Sequence, residues 1–169
     1  MDKALVLAYK GKSWISKTIR WQTRSEYSHI GIWIDEGVVE AWHKGGVRLV
    51  TNPDDGHTDG TPIDVFEPIV RIDERRLRNA LLNEVGKAYD FHGCARFLSR
   101  RDAPLDDRWF CSELAAWALE QSNLTLQRIP ASHMAPAHVA MSRFLRPVAQ
   151  IVTGREYPQT LKQMRVAYC

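Results

Sequence analysis

The chain has 169 residues, 44% hydrophobic and 25% charged, with a formal net charge of +3. That composition excludes disordered, collagenous and coiled-coil proteins, and the length suits one compact domain whose core needs no covalent staples. The charge excess is too small to imply nucleic acid, whereas peripheral contact with an anionic cell wall or membrane surface stays open.

Residues 4–9 form a short apolar run with β-branched and aromatic members, read as a buried strand. The run is too short for a signal-peptide core, and no stretch approaches the ~20 apolar residues of a membrane span. The expectation is a soluble monomer made in the cytoplasm, with a phage-encoded or lysis-released role open. Gly11 ends the strand and Ser13 caps a short helix with Trp14, Ile15, Thr18, Ile19 and Gln22 at helical spacing. Residues 27–34 are the clearest strand. Ser28, Ile30, Ile32 and Ile34 point one way, and Tyr27, His29, Gly31 and Trp33 the other. Asp35-Glu36-Gly37 turns the chain into a partner strand over 38–43, and Val47 to Val50 reads as another after Gly45-Gly46.

Residues 51–61, rich in Asp, Gly and Pro, read as a solvated surface loop, and 63–66 as a strand. Asp73 then caps a helix to about Lys87 with Leu77, Leu81 and Val85 as its buried stripe. A shorter helix is expected near 93–98 and a charged loop over 99–107. Over 109–121 the pattern is a strong amphipathic helix, with Cys111, Leu114, Ala115, Ala118 and Leu119 on one face. One more helix near 137–145 and a polar tail follow. Strands first and helices later predict an α+β fold.

Three cysteines, Cys94, Cys111 and Cys169, are odd in number and far apart, so they suggest neither a disulfide framework nor a zinc ribbon. A cysteine nucleophile needs negative charge stabilised at sulfur, a histidine within reach and a third polar group to hold that imidazole. Cys111, in Trp109-Phe110-Cys111-Ser112-Glu113-Leu114, falls at the first turn of its helix, where unpaired N–H groups favour negative charge. A buried core cysteine fits the same position. His29 shares a strand face with small Gly31, which leaves room beside its ring; taken alone, a half-buried structural histidine is the commoner occupant of such a position. Glu40 is a carboxylate inside an apolar strand and must be paired or exposed. If the hairpin pairs residues whose numbers sum to 71, Glu40 lies opposite Gly31 and diagonal to His29. A three-residue loop would flip it away and leave His43 as the rival third member.

Taken together, Ser28-His29-Ile30-Gly31-Ile32, Val39-Glu40-Ala41, Gly86-Lys87-Ala88-Tyr89-Asp90-Phe91 and Trp109-Phe110-Cys111-Ser112-Glu113-Leu114 form a pattern. It resembles the circularly permuted branch of the NlpC-type, papain-like cysteine hydrolases, in particular the YiiX/YebB-like group, and more distantly the lecithin retinol acyltransferase-like proteins. The histidine-first order separates this branch from ordinary NlpC-type enzymes. The resemblance covers about residues 5–145 and implies a small curved, barrel-like antiparallel sheet with the cysteine helix packed against it. Its domain is expected over 1–147, with 148–169 an extension of unknown role. It implies Cys111 as nucleophile, His29 as base, Glu40 as the residue orienting His29, and Tyr89 beside the oxyanion. It implies neither metal nor cofactor.

Tyr27, Trp33, Trp42 and Trp109 are expected to wall a substrate groove, and Arg96, Arg100, Arg101 and Arg108 to form a positive rim for an anionic peptide or lipid acyl substrate. Cys94 and Cys169 read as structural and terminal thiols. Asp54, Asp55, His57 and Asp59 hold cation-binding side chains, but an Asp/Gly loop exposed to solvent accounts for them. Three functions compete: an amide hydrolase acting on peptides such as those of cell walls, a lipid acyltransferase working through a thioester, and a binding module on the same fold.

Overall fold

A computed structural model describes residues 3–90 and 108–155 of the protein. The apolar runs assemble as an antiparallel sheet of β1 (Leu5–Tyr9), β2 (His29–Ile34), β3 (Gly37–Trp42), β4 (Gly46–Val50), β5 (Pro62–Pro68) and β8 (Leu145–Val152). Their order is β4-β3-β2-β1-β5-β8, while β6 (Ala88–Tyr89) and β7 (Arg108–Trp109) form a separate parallel pair. The sheet is open, with β4 and β8 as its edges, and does not close into a barrel. The architecture is α+β.

β1 is apolar throughout because it lies inside the sheet with both faces covered. On one face Val6, Ala8, Ile30, Ile32 and Val39 meet Leu77, Leu114 and Leu119 from the helices. On the other, Leu5, Leu7, Trp33, Val38, Ile63 and Ile151 form a second core. Each fully buried Leu or Ile contributes about 1.5–3 kcal/mol, so burial on the two faces holds the sheet together.

Helix α1 (Trp14–Thr23) starts where Ser13 accepts the Ser16 N–H at 3.2 Å and ends in left-handed Arg24. Helix α2 (Glu74–Glu84) starts where Asp73 accepts the Arg76 N–H at 3.0 Å. It stops at Glu84, short of Lys87, so Val85 turns outward and is 41% exposed. Glu84 takes the buried place instead, accepting from Trp109 Nε1 at 2.6 Å and pairing with Lys87 at 2.8 Å. Helix α3 (Cys111–Gln121) begins after Trp109 because Arg108–Trp109 is drawn into the pairing with Ala88–Tyr89. It packs on β2 and β3. Helix α4 (Pro136–Ala140) is shorter than the pattern suggests, and Leu145 belongs to β8 instead.

The expected boundary between 147 and 148 falls inside β8, whose residues through Val152 pair with β5. Pro147 looks like punctuation in the sequence, but an edge strand tolerates its missing N–H, and it sits opposite Phe66 beside a register irregularity. The helix expected near 93–98, the loop 99–107, Cys94, Arg96, Arg100, Arg101 and Cys169 lie outside the described residues. Among the described residues, no helix is long and apolar enough to cross a membrane.

Candidate active site

The β2–β3 hairpin turns through Asp35-Glu36 and pairs Ile32 with Val39, Trp33 with Val38 and Ile34 with Gly37. Each of those sums is 71, so the register sets Glu40 across from Gly31 and diagonal to His29. Nε2 of His29 lies 2.6 Å from Oε2 of Glu40, whose side chain is 1% exposed. Gly31 keeps this corner open, since an added Cβ would lie 2.8 Å from Val38 Cγ1 and 3.7 Å from Oε2 of Glu40. His43 does not take this place; its ring leans on Trp42 at 4.8 Å.

Cys111, free and buried, is the first residue of α3. The helix covers the sheet face of Ile30 and Ile32, so strand alternation alone would set His29 on the far side. His29 is the first residue of β2, however, and there its ring meets the start of α3 and hydrogen-bonds Cys111 as well as Glu40. Because Nε2 faces Glu40, Nδ1 is the nitrogen left for sulfur.

Burial works against charge on His29, but the electrostatic attraction of Cys111 and Glu40, with a hydrogen bond to each, outweighs it and raises its pKa to about 10. Burial also works against the charge on Glu40. His29 and then His57 more than offset that cost, and the carboxyl is held well below the usual range. Oε1 of Glu40 accepts from Arg48 twice, from Nε at 2.9 Å and Nη2 at 2.6 Å. The Arg48 guanidinium in turn lies over the Trp42 ring at 4.2 Å.

His57 completes this cluster; the sequence marks it as one cation-binding side chain of its loop but not as a partner of Glu40. Its Nε2 lies 3.4 Å from Oε2 of Glu40, its side chain is 6% exposed, and its ring stacks on Tyr9 with centroids 4.0 Å apart. Burial pushes its pKa down, against the pull of Glu40. The loop that carries it runs at the surface as its composition predicts, with Thr51, Asn52, Gly56, Thr58 and Asp59 exposed, but it is anchored to the sheet. Tyr9 Oη donates to the Pro53 carbonyl at 3.2 Å, Arg48 to the Asp55 carbonyl at 2.6 Å, and Gly154 N–H to Asp54 at 3.0 Å. Of its four cation-binding side chains, only His57 reaches Glu40. The one local signal is Gly56, at φ +81°, where a Cβ would lie 2.9 Å from Arg48 Nη2 and 3.2 Å from the Trp42 ring. A glycine there lets the loop lie against the sheet.

A cleft beside His29 is lined by Trp42, Tyr89, His43 and His57, with Lys12 and Ser13 at the start of α1. The other expected groove residues stand elsewhere. Trp33 is buried in the second core, Tyr27 donates to Asp64 at 2.7 Å, and Trp109 leans on Trp117. Each has an apolar body whose strand position points it into packing or whose polar tip has found a partner. Arg108 is exposed.

The donor atoms of His29, Glu40 and His57 all lie within 4.8 Å of one another. Two imidazoles and a carboxylate at that spacing fit a zinc-class divalent cation.

No family model and no curated protein matches the sequence. Among solved structures the fold is similar to that of the metalloprotein YiiX from Escherichia coli O157:H7, described as DUF1105. The TM-score is 0.63 at 18% identity, over 93% of this chain and 98% of that one. The chain therefore has a YiiX-like fold.

Proposed function

We propose that the protein is a cysteine-dependent hydrolase of amide or ester bonds, with Cys111 as nucleophile, His29 as acid and base, and Glu40 as the residue that orients His29. The observation that carries this reading is the His29 ring held between Cys111 and Glu40, with Arg48 gripping the carboxylate from its other oxygen. The YiiX-like fold and the histidine-before-cysteine order support a place in the circularly permuted NlpC-type group.

Nδ1 of His29 holds the proton of Cys111 as an ion pair, and in the first step the sulfur attacks the carbonyl carbon. The Cys111 backbone N–H, in the first turn of α3, would donate to the oxyanion, and Tyr89 lines the neighbouring cleft. As the intermediate collapses, the bond to the leaving amine or alcohol breaks and His29 returns its proton to that group. Water, deprotonated by His29, then attacks the thioester and releases the acid and Cys111. Glu40 fixes the ring and stabilises imidazolium as it forms.

The cleft sets polar groups, among them Lys12, Ser13, Ser16 and His43, beside the aromatic walls of Trp42 and Tyr89, a mixture that suits a peptide with both polar and apolar parts. YiiX is described as a metalloprotein. In this chain His29, Glu40 and His57 are the residues placed to hold a divalent ion, which would supply Lewis acidity there.

The test is labelling with a peptidyl acyloxymethyl ketone, read by intact and peptide mass. The expected result is a single adduct on Cys111, absent in Cys111→Ala and slowed about a hundredfold or more in His29→Ala. A folded protein whose Cys111 stays unmodified would overturn the hydrolase reading in favour of a binding module.

A further inference from the structure

We infer that a zinc-class divalent cation binds His29, Glu40 and His57 and, by occupying Nε2 of His29, shuts off the acid–base cycle of Cys111. This regulatory role rests on the hydrolase reading, whereas the binding site itself does not. The donors are built into the fold. His29 comes from β2, Glu40 from β3 and His57 from the bound loop, and the side chains are 12%, 1% and 6% exposed. Oε2 of Glu40 is 2.6 Å from Nε2 of His29 and 3.4 Å from Nε2 of His57, and all three atoms fall within 4.8 Å. Ligand atoms around a tetrahedral zinc are roughly 3.3 Å apart, so closing on an ion asks for side-chain shifts of an ångström or so.

Arg48 supports this arrangement from behind. It binds only Oε1, which leaves Oε2 directed at the two imidazoles. Stacking on Tyr9 holds the His57 ring in place before any ion arrives. The cleft lined by His29, His57 and Trp42 gives an ion an entry path and room for a water as fourth ligand.

The consequence for the thiol follows from proton counting. An ion on Nε2 replaces the hydrogen that His29 shares with Glu40, and that proton leaves to solvent. The ring's remaining proton then sits on Nδ1, facing sulfur. Giving it to a leaving group would turn the ring into a metal-bound imidazolate, so the acid step stops. Negative charge on sulfur is still accommodated, because the Nδ1–H remains beside it. Acyl transfer and simple alkylation of Cys111 should therefore respond differently to zinc.

The experiment titrates metal-free protein with zinc chloride by calorimetry and with cobalt chloride by absorption, in parallel with iodoacetamide alkylation of Cys111. The expected result is one ion per chain, visible cobalt bands without a thiolate-to-cobalt charge-transfer band, and an alkylation rate changed by less than about twofold. Cys111→Ala should bind zinc within about twofold of the parent. His57→Gln and Glu40→Gln should each bind more than about tenfold more weakly, since even outer partners of metal ligands are worth that much. Circular dichroism melts show which of these two variants is folded, and either one suffices. The inference is overturned by the absence of saturable binding, by undiminished binding in the folded variants, or by a thiolate charge-transfer band that vanishes in Cys111→Ala. Zinc that blocks iodoacetamide also overturns it, because the ion would then sit on sulfur. A protein that takes the peptidyl acyloxymethyl ketone yet binds no zinc refutes this inference alone. One that binds zinc as described but never takes the probe refutes the hydrolase reading and the regulatory role together, and leaves the metal site standing.

Discussion

Arg48 and His29 grip Glu40 by different oxygens: the guanidinium takes Oε1 at 2.9 and 2.6 Å, and the imidazole takes Oε2 at 2.6 Å. A carboxylate held at both ends cannot swing away from the ring it orients. Removing a buried carboxylate from water is costly, and here the two cationic partners and the hydrogen bonds offset that cost. The same grip makes the roles of the three residues separable by substitution.

Glu40→Gln keeps the size of the side chain and removes its charge. Reaction of Cys111 with a peptidyl acyloxymethyl ketone should slow by about a hundredfold or more, with the circular dichroism spectrum unchanged. An unaltered rate would move the orienting role to another partner of His29.

Arg48→Met leaves Oε1 of Glu40 without its donors. Stability in urea should fall by about 1–3 kcal/mol, the cost of an unsatisfied buried acceptor. Arg48→Lys should recover only part of that, because an ammonium restores the charge without the two-pronged geometry. Equal midpoints for all three proteins would show the pair to be screened by solvent, since Arg48 is 26% exposed.

Gly31→Ala puts a Cβ 2.8 Å from Cγ1 of Val38, a stiff β-branched neighbour. Overpacking should cost about 1–3 kcal/mol in chemical denaturation. A variant as stable as the parent would mean that the hairpin relaxes at no cost, and that Gly31 is not what keeps this corner open.

The pH dependence has a definite sign. His29 has a folded pKa raised from 6.5 to about 10, so its contribution to stability is fully present below 6.5 and is lost as pH rises toward 10. Glu40 has a lowered folded pKa, so its contribution is present above 4.5 and is lost as pH falls below that value. Scanning fluorimetry should find the parent most stable near pH 4.5–6.5 as far as this pair is concerned. For a chain this long each 1 kcal/mol moves the melting temperature by about 2–4 °C. His29→Gln should flatten the decline between pH 6.5 and 10. An equally steep decline in that variant would place its origin in other groups.

Much of the frame was legible because its causes are local. Alternation in 29–34 and the Asp35-Glu36-Gly37 turn announce the hairpin, while its register, open in the sequence between two loop lengths, is the one that carries Glu40 to His29. Ser13 and Asp73 announce their helices because a cap needs only the next few N–H groups. The apolar stripe of Cys111, Leu114, Ala115, Ala118 and Leu119 is buried as its spacing predicts. Tertiary structure decided the rest. Nothing local distinguishes His57 from any histidine in an Asp/Gly loop; Tyr9 and Gly154, distant in sequence, join Arg48 of the preceding strand in binding that loop down. The aromatic groove likewise depended on packing, which left Trp42 at the cleft and drew Trp33 into the core. Periodicity and capping act over a few residues and are written in the sequence directly, whereas which loop covers which face depends on the sum of contacts across the whole sheet.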